Sequence, residues 1–353
     1  MSPYRLGDAE LDARIRDLVA DAATGNDHAN ADLITEIVIT ALRLQRDHAD
    51  RGDVKLINTA LKEMRYSFRA FAPYRAARKL AIFGSARTPA DDPNYAMATE
   101  LARLMARRRG WMVMTGAGPG IMEAANLGAG DESFGINIRL PFEDAANPYV
   151  PADRLINFNY FFPRKLVFVK ESHAFALFPG GFGTQDETYE TMTLMQTGKS
   201  DLHPLVLIEA PGTHYWQGWI EFVEHSLLEP GMIQPDDLGL FHYTTSVDEA
   251  ADEICSFYDN YHSQRYVNGH LVLRLLHEPT TEQIEQINDT FSDIVVAGAI
   301  ERIAATSVEI EDGDHPDLPR IRFHFNRRSL GRLRSLIDHL NSLAPESGGS
   351  HSD

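Results

Sequence analysis

From Lys79 onward the chain alternates short apolar runs with stretches of helical period. "KLAIFG" precedes "NYAMATELARLMARRR", and "WMVMTG" precedes "PGIMEAANLGA". "FGINIRL", a polar loop and the helix-like "RKLVFVKES" follow, then "HAFALFPGG" leads into "TQDETYETMTLMQTG" and "PLVLIEA" into "YWQGWIEFVEHSLL". Strands joined through helices pair in parallel, so the repeat predicts an α/β fold, a Rossmann-like, doubly wound parallel sheet. Such sheets bind ligands at the carboxyl ends of their strands. The glycines fall there: Gly84, then Gly116, Gly118 and Gly120, then Gly180, Gly181 and Gly183.

The flanks read differently. Residues 1–78 show only helical spacing, as in "DLITEIVITALRLQRDHA", and predict an N-terminal helical layer. Residues 79–262 hold the α/β repeat. Over 267–343, "HLVLRLL", "TTEQIEQINDTF", "IERIAATSVEI", "PRIRFHFN" and "SLGRLRSLIDHLNSL" predict strand, helix, two strands and helix, a small α+β module of split-βαβ type. The tail 344–353 is expected to be disordered. Basic residues in the module's strands suggest either a field for an anionic effector or pairing with the acidic N-terminal helices.

The 353 residues carry a formal net charge of −18, which argues against nucleic acid or an anionic membrane as partner. It would also repel an anionic substrate, so a phosphate site must build its own positive potential. One cysteine, Cys255, leaves no disulfide framework, and the histidines show no tight metal-ligand spacing, so no metal is expected. No apolar run reaches membrane-span length, and the acidic, amphipathic start is unlike a signal peptide, so a cytoplasmic enzyme is expected.

Two glycine turns carry the chemistry. "TGAGPGIMEAAN" is either an anion cradle at a helix N-terminus or a plain tight turn. Its GxGxG spacing is not the dinucleotide fingerprint, and the next strand ends in Arg139 rather than a ribose-binding acid. In "PGGFGTQDE", Gly180, Gly181 and Gly183 bare the backbone toward one phosphate, Thr184 adds a hydroxyl at the expected helix start, and Glu187 projects from its first turn. The spacing Thr184-x-x-Glu187 is equally that of a capping box, in which Glu187 would only satisfy an amide. Arg164 and Lys165, in "FFPRKLVFVK", oppose the helix dipole at a helix start. A bound anion would relieve that, as would a salt bridge to Glu143 or Asp144.

"PRK" followed by "PGGFGTQDE" resembles the paired signatures of the LOG (Lonely Guy) family, cytokinin riboside 5′-monophosphate phosphoribohydrolases often mislabelled lysine decarboxylases. The resemblance extends to "IFGSA" (Gly84, Ser85) and to the turn with Gly118 and Gly120, covering roughly 79–260. The flanking segments look like those of longer bacterial relatives that cleave purine and pyrimidine 5′-monophosphates. The resemblance implies Arg164 and Glu187 as catalytic residues, and Lys165, Gly180, Gly181, Phe182, Gly183, Thr184 and Thr193 as substrate contacts. In "RLPFEDAANPYV", which departs from the plant pattern, it points to Glu143 and Asn147 beside the base.

It implies a nucleosidase that cleaves AMP-like or cytokinin riboside 5′-monophosphates to a free base and ribose 5-phosphate, with no cofactor and no metal. The alternatives are a non-catalytic nucleotide sensor and another nucleotide-processing enzyme on the same scaffold. A decarboxylase finds no support, because neither Lys165, Lys170 nor Lys199 stands in a context for a pyridoxal Schiff base. A homo-oligomer, dimer or higher, is also expected, with Met192, Met195 and Phe168 as exposed apolar surface.

Overall fold

A computed structural model describes residues 4–23, 30–139 and 146–345. The chain divides into two compact units at 65/66. The first holds α1 (Ala9–Ala22), α2 (Ala31–Arg46) and most of α3 (Arg51–Phe71). Asp8 caps α1 by accepting from the Glu10 and Leu11 amides, and buried Asp12 accepts from Leu6 N at 2.8 Å. The unit's own core is small, built on Leu6, Ile15 and Ile39.

The second unit begins with the predicted alternation: β1 (Lys79–Phe83), α4 (Pro93–Arg109), β2 (Met112–Thr115), α5 (Ile121–Ala129), β3 (Ser133–Ile138) and β4 (Leu155–Phe158). Then come α6 (Phe161–Glu171), β5 (Ala174–Leu177), α7 (Phe182–Gln196), β6 (Leu205–Ile208), α8 (Tyr215–Val223), β7 (His242–Thr244) and α9 (Val247–Ser256). Seven parallel strands form one sheet in the order β4-β3-β2-β1-β5-β6-β7. Strands β1, β2, β5 and β6 are buried along their whole length, as expected for a parallel sheet covered on both faces. The order runs outward in opposite directions from β1 and β5, so the crevice at the carboxyl ends of those two strands is the sheet's switch point. Edge strands β4 and β7 were not anticipated: both are short and only partly buried.

The module follows with β8 (Tyr261–Val267), β9 (His270–Leu275), α10 (Thr281–Phe291), β10 (Glu301–Ile303), α11 (Ser307–Glu311), β11 (Arg320–Phe323) and α12 (Leu330–Ser342). Its sheet runs β10-β11-β9-β8, with every pairing antiparallel. Strands β9 and β10 are therefore parallel to each other with β11 between them, a split βαβ lengthened by β8. "TSVEI", expected as strand, turns into α11 because Thr306 and Glu309 form a reciprocal capping box. One apolar core runs from the parallel sheet into the module. Asn341 of α12 fixes the join, accepting from the Asn260 and Tyr261 amides and donating to Phe257 O.

The module's arginines are engaged with its own acids rather than with either sequence-predicted partner. Buried Glu309 lies between Arg274 and Arg320, with Arg320 Nη1 at 2.8 Å, while Arg265 reaches Asp312 and Asp314. Burial opposes the charge on Glu309, but hydrogen bonds from Thr306 and the two guanidiniums overcome it and hold the carboxyl down at about 2. From residue 346 on, the tail lies outside the described residues.

Candidate active site

The two loops at the switch point are sewn together by backbone. Phe178 N donates to Phe83 O at 2.9 Å, Ser85 N to Pro179 O at 3.0 Å, and Ile121 N to Ser85 O at 3.1 Å. Tyr215 of α8 holds the second loop by donating its hydroxyl to Gly180 O at 2.6 Å while accepting from Gln185 Nε2. The loops enclose a cavity of about 620 Å³ lined by Phe83–Arg87, Met122, Phe161, Arg164 and Gly180–Glu187. The sequence-predicted residues Gly84, Ser85, Arg164, Gly180, Gly181, Phe182, Gly183, Thr184 and Glu187 thus meet around one space. Arg87, Met122 and Phe161 join them from loops and helix starts whose local sequence carries no binding signal.

The glycines differ in why they are glycine. A Cβ on Gly180 would overlap Thr184 Oγ1, and one on Gly84 would lie 2.7 Å from the Ile121 side chain, so packing dictates both. At Gly116 a Cβ would meet Met122 Sδ at 2.7 Å, which lets that side chain and Arg164 lie against bare backbone. Gly181 and Gly183 have nothing within 4 Å of a would-be Cβ and no left-handed φ, so neither fold nor packing requires them to be bare. What remains is something that approaches from the cavity.

Helix α7 starts at Phe182, with Gly181 as its N-cap and no side-chain cap. The expected start at Thr184 is two residues late, and the Thr184–Glu187 capping box does not form at that end. The first amides of α7 therefore border the cavity without a side-chain partner, an anion-accepting arrangement. Glu187, in the second turn, is only 6% exposed. Burial pushes its carboxyl up to about 7, against the pull of Arg164 and Lys165 and with the push of Glu190 and Asp186.

Arg164, the fourth residue of α6, is buried and donates from Nε to Ile136 O at 2.8 Å. Lys165 does not line the cavity. It bridges Asp186 at 2.7 Å and Glu190 at 2.8 Å, tying α6 to α7. Burial lowers its pKa, but those two hydrogen bonds outweigh this and raise it, so it stays an ammonium rather than a Schiff-base amine.

The other predicted residues lie apart from this cavity. Gly120 takes a left-handed turn (φ 68°) and packs against the Ser85 carbonyl, while Gly118 makes room for Met122. Asn147 fastens the same turn, donating to Gly118 O at 3.0 Å and Asn126 Oδ1 at 2.9 Å. Thr193 lines a separate cavity of about 210 Å³ with Met192, Gln196 and Trp219. Glu143 and Asp144 lie outside the described residues. Phe168 and Met195, expected at the surface, are buried and Met192 is half-buried. The exposed apolar groups here are Phe161, Phe162, Leu166 and Phe182, the last 96% exposed.

Among the described residues no helix is long and apolar enough to cross a membrane, and no three His, Cys, Asp or Glu side chains converge as metal ligands. Residues 120–254 match a family described as "Possible lysine decarboxylase". The chain is 31% identical over 153 residues to a pyrimidine/purine nucleotide 5′-monophosphate nucleosidase of Escherichia coli (strain K12), covering 40% of this chain and 32% of that one. It is 29% identical over 156 residues to a cytokinin riboside 5′-monophosphate phosphoribohydrolase of Mycobacterium tuberculosis, covering 41% of this chain and 79% of that one. The match thus spans about a third of the length of the Escherichia coli relative. Among solved structures, a molybdenum cofactor binding protein from Rippkaea orientalis is 20% identical, with a TM-score of 0.36 over 51% of this chain and 96% of its own.

Proposed function

Residues 120–254 carry a domain of the lysine-decarboxylase-like (LOG) family, and from that premise we propose that the chain hydrolyses nucleoside 5′-monophosphates. The observation that carries the reading is Glu187: a buried carboxylate held near neutrality, on the wall of a cavity whose opposite lip is bare glycine backbone.

The 5′-phosphate takes the amides of Gly181–Thr184 and the Thr184 hydroxyl. Arg87 and Arg164 supply local positive charge in a chain of net charge −18. The ribose then lies beside Glu187. As the N-glycosidic bond breaks, positive charge develops at the anomeric carbon. The ionised carboxylate stabilises that charge and removes a proton from the water whose oxygen bonds to the same carbon. The base leaves with the bonding electron pair and is protonated, giving free base and ribose 5-phosphate. Phosphate binding far from the reacting carbon positions it, so a nucleoside without phosphate reacts poorly. The exposed Phe161, Phe162, Leu166 and Phe182 support a homo-oligomer that covers the mouth of the site, and the cytoplasm as its compartment fits a diffusible nucleotide substrate.

The experiment is direct. The protein is incubated with a panel of purine, pyrimidine and cytokinin riboside 5′-monophosphates, and free base and ribose 5-phosphate are followed by chromatography. Equimolar release of the two from at least one member is expected; binding without release from any member would replace the hydrolase by a nucleotide sensor.

A further inference from the structure

A second and larger cavity, about 770 Å³, opens at the other end of the same strands. Its wall includes His173, which precedes β5, and Arg75 and Arg78, which precede β1, together with Lys170 at the end of α6. The segment before β6 adds Lys199, Asp201 and His203, and the module adds Tyr261, His262 and His315.

Its charge is opposite to that of the chain. Four side chains that carry fixed positive charge stand against one carboxylate, Asp201, which is itself bonded to Gln264. Lys170 pairs with Glu171, but Arg75 and Lys199 are exposed, and Arg78 lies 3.6 Å over the Tyr258 ring rather than against an acid. Three imidazoles complete the lining. Burial above all, with neighbouring cations or a second imidazole, holds His173 down at about 3 and His203 and His262 at about 4, so they are neutral hydrogen-bonding groups. An independent observation points the same way. Ser172, also in the wall, is 3% exposed and its hydroxyl has no hydrogen-bond partner. A buried orphan hydroxyl costs free energy unless something satisfies it.

We propose that this cavity, between the amino ends of β1 and β5 and the C-terminal module, binds a small anion bearing two or more phosphate groups. Single phosphate is too small to meet Arg75, Arg78, Lys170 and Lys199 around 770 Å³ at once, whereas an oligophosphate spans them and reaches the Ser172 hydroxyl. The site is distinct from the candidate active site: none of its lining residues is shared with the cavity around Glu187. Helix α6 touches both, with Arg164 near its start and Lys170 near its end.

Inorganic tripolyphosphate is the probe, titrated calorimetrically into the full chain, into Gly183→Val, which obstructs the candidate active site, and into Arg75→Ala/Lys199→Ala. Both alanine positions are exposed, so the fold tolerates them. A saturable binding step that survives Gly183→Val and weakens at least tenfold in the double variant is expected. Ser172→Ala should weaken the same step severalfold while leaving the melting temperature equal or higher, since it removes an unsatisfied hydroxyl. Binding that vanishes with Gly183→Val, that is indifferent to the double variant or to Ser172→Ala, or that never saturates would overturn the assignment.

Discussion

Replacing Glu187 by glutamine separates two consequences of one buried carboxylate. In the wild type its folded-state pKa is near 7 against an ordinary value of 4.5, with burial the main cause. A raised carboxylate pKa means that the folded state binds the proton more tightly than the unfolded chain. The group is therefore harmless below pH 4.5 and increasingly destabilising as pH rises toward and past 7. Integrating between those values puts the cost at about 3 kcal/mol at pH 8 and below about 1 kcal/mol at pH 5. Glutamine has the same shape and no charge. Glu187→Gln should thus be more stable than wild type at pH 8, by an amount that shrinks to near nothing at pH 5.

Turnover should move the other way. If the ionised carboxylate stabilises the ribosyl cation and takes the proton from water, its loss costs about 100-fold or more in kcat. The wild-type kcat/KM should rise with pH through about 7 on its acid side. Urea denaturation at pH 5 and pH 8, together with a pH–rate profile, reads all of this. A stability difference that does not depend on pH would remove the buried-carboxylate argument. Activity within a few-fold of wild type would remove the catalytic one.

Three further outcomes follow from other residues. Gly183→Val should leave the melting temperature unchanged, because its Cβ meets open space, yet raise KM for a 5′-monophosphate at least tenfold; Gly180→Val, which runs into Thr184 Oγ1, should lower stability as well. AMP should be cleaved with a kcat/KM several orders of magnitude above that of adenosine, and comparable values in a side-by-side assay would show that the phosphate is not held by the glycine loop. Glu309→Ala leaves two buried guanidiniums without their shared carboxylate and should cost about 3–5 kcal/mol by chemical denaturation, with the wild-type advantage lost as pH falls from 4.5 toward 2.

The central strands were legible because parallel strands buried on both faces read as unbroken apolar runs, as in "LAIF" and "LVLI". The same logic hid β4, β7 and β8, whose faces are half-exposed and whose sequences mix polar with apolar residues. Helix starts were read late at α6 and α7 for a local reason: Tyr160 and Gly181 stand at the caps, and neither makes a side-chain cap. Where Thr280 and Thr306 do cap, the start is written in the sequence. Gly180–Glu187 could be placed at one cavity because a strand-to-helix turn brings sequence neighbours together. Arg87 and Met122 reach that cavity only through the pairing of the β1 and β5 loops. Local spacing contains no trace of that pairing.

The site also explains how an acidic chain can handle an acidic substrate. Asp186, Glu187 and Glu190 crowd one face of α7, and each raises the difficulty of ionising the next. Lys165 takes up Asp186 and Glu190 in a two-acid bridge, which leaves Glu187 as the member of the stripe whose charge is set by burial and by Arg164. Arg164 thereby has two duties that pull the same way: it lowers the Glu187 pKa and adds positive potential for a phosphate. Replacing Arg164 by methionine should therefore move the acid limb of kcat/KM above 7 as well as raise KM. A substitution that raised KM alone would assign Arg164 to the phosphate and leave Glu187 to be governed by burial.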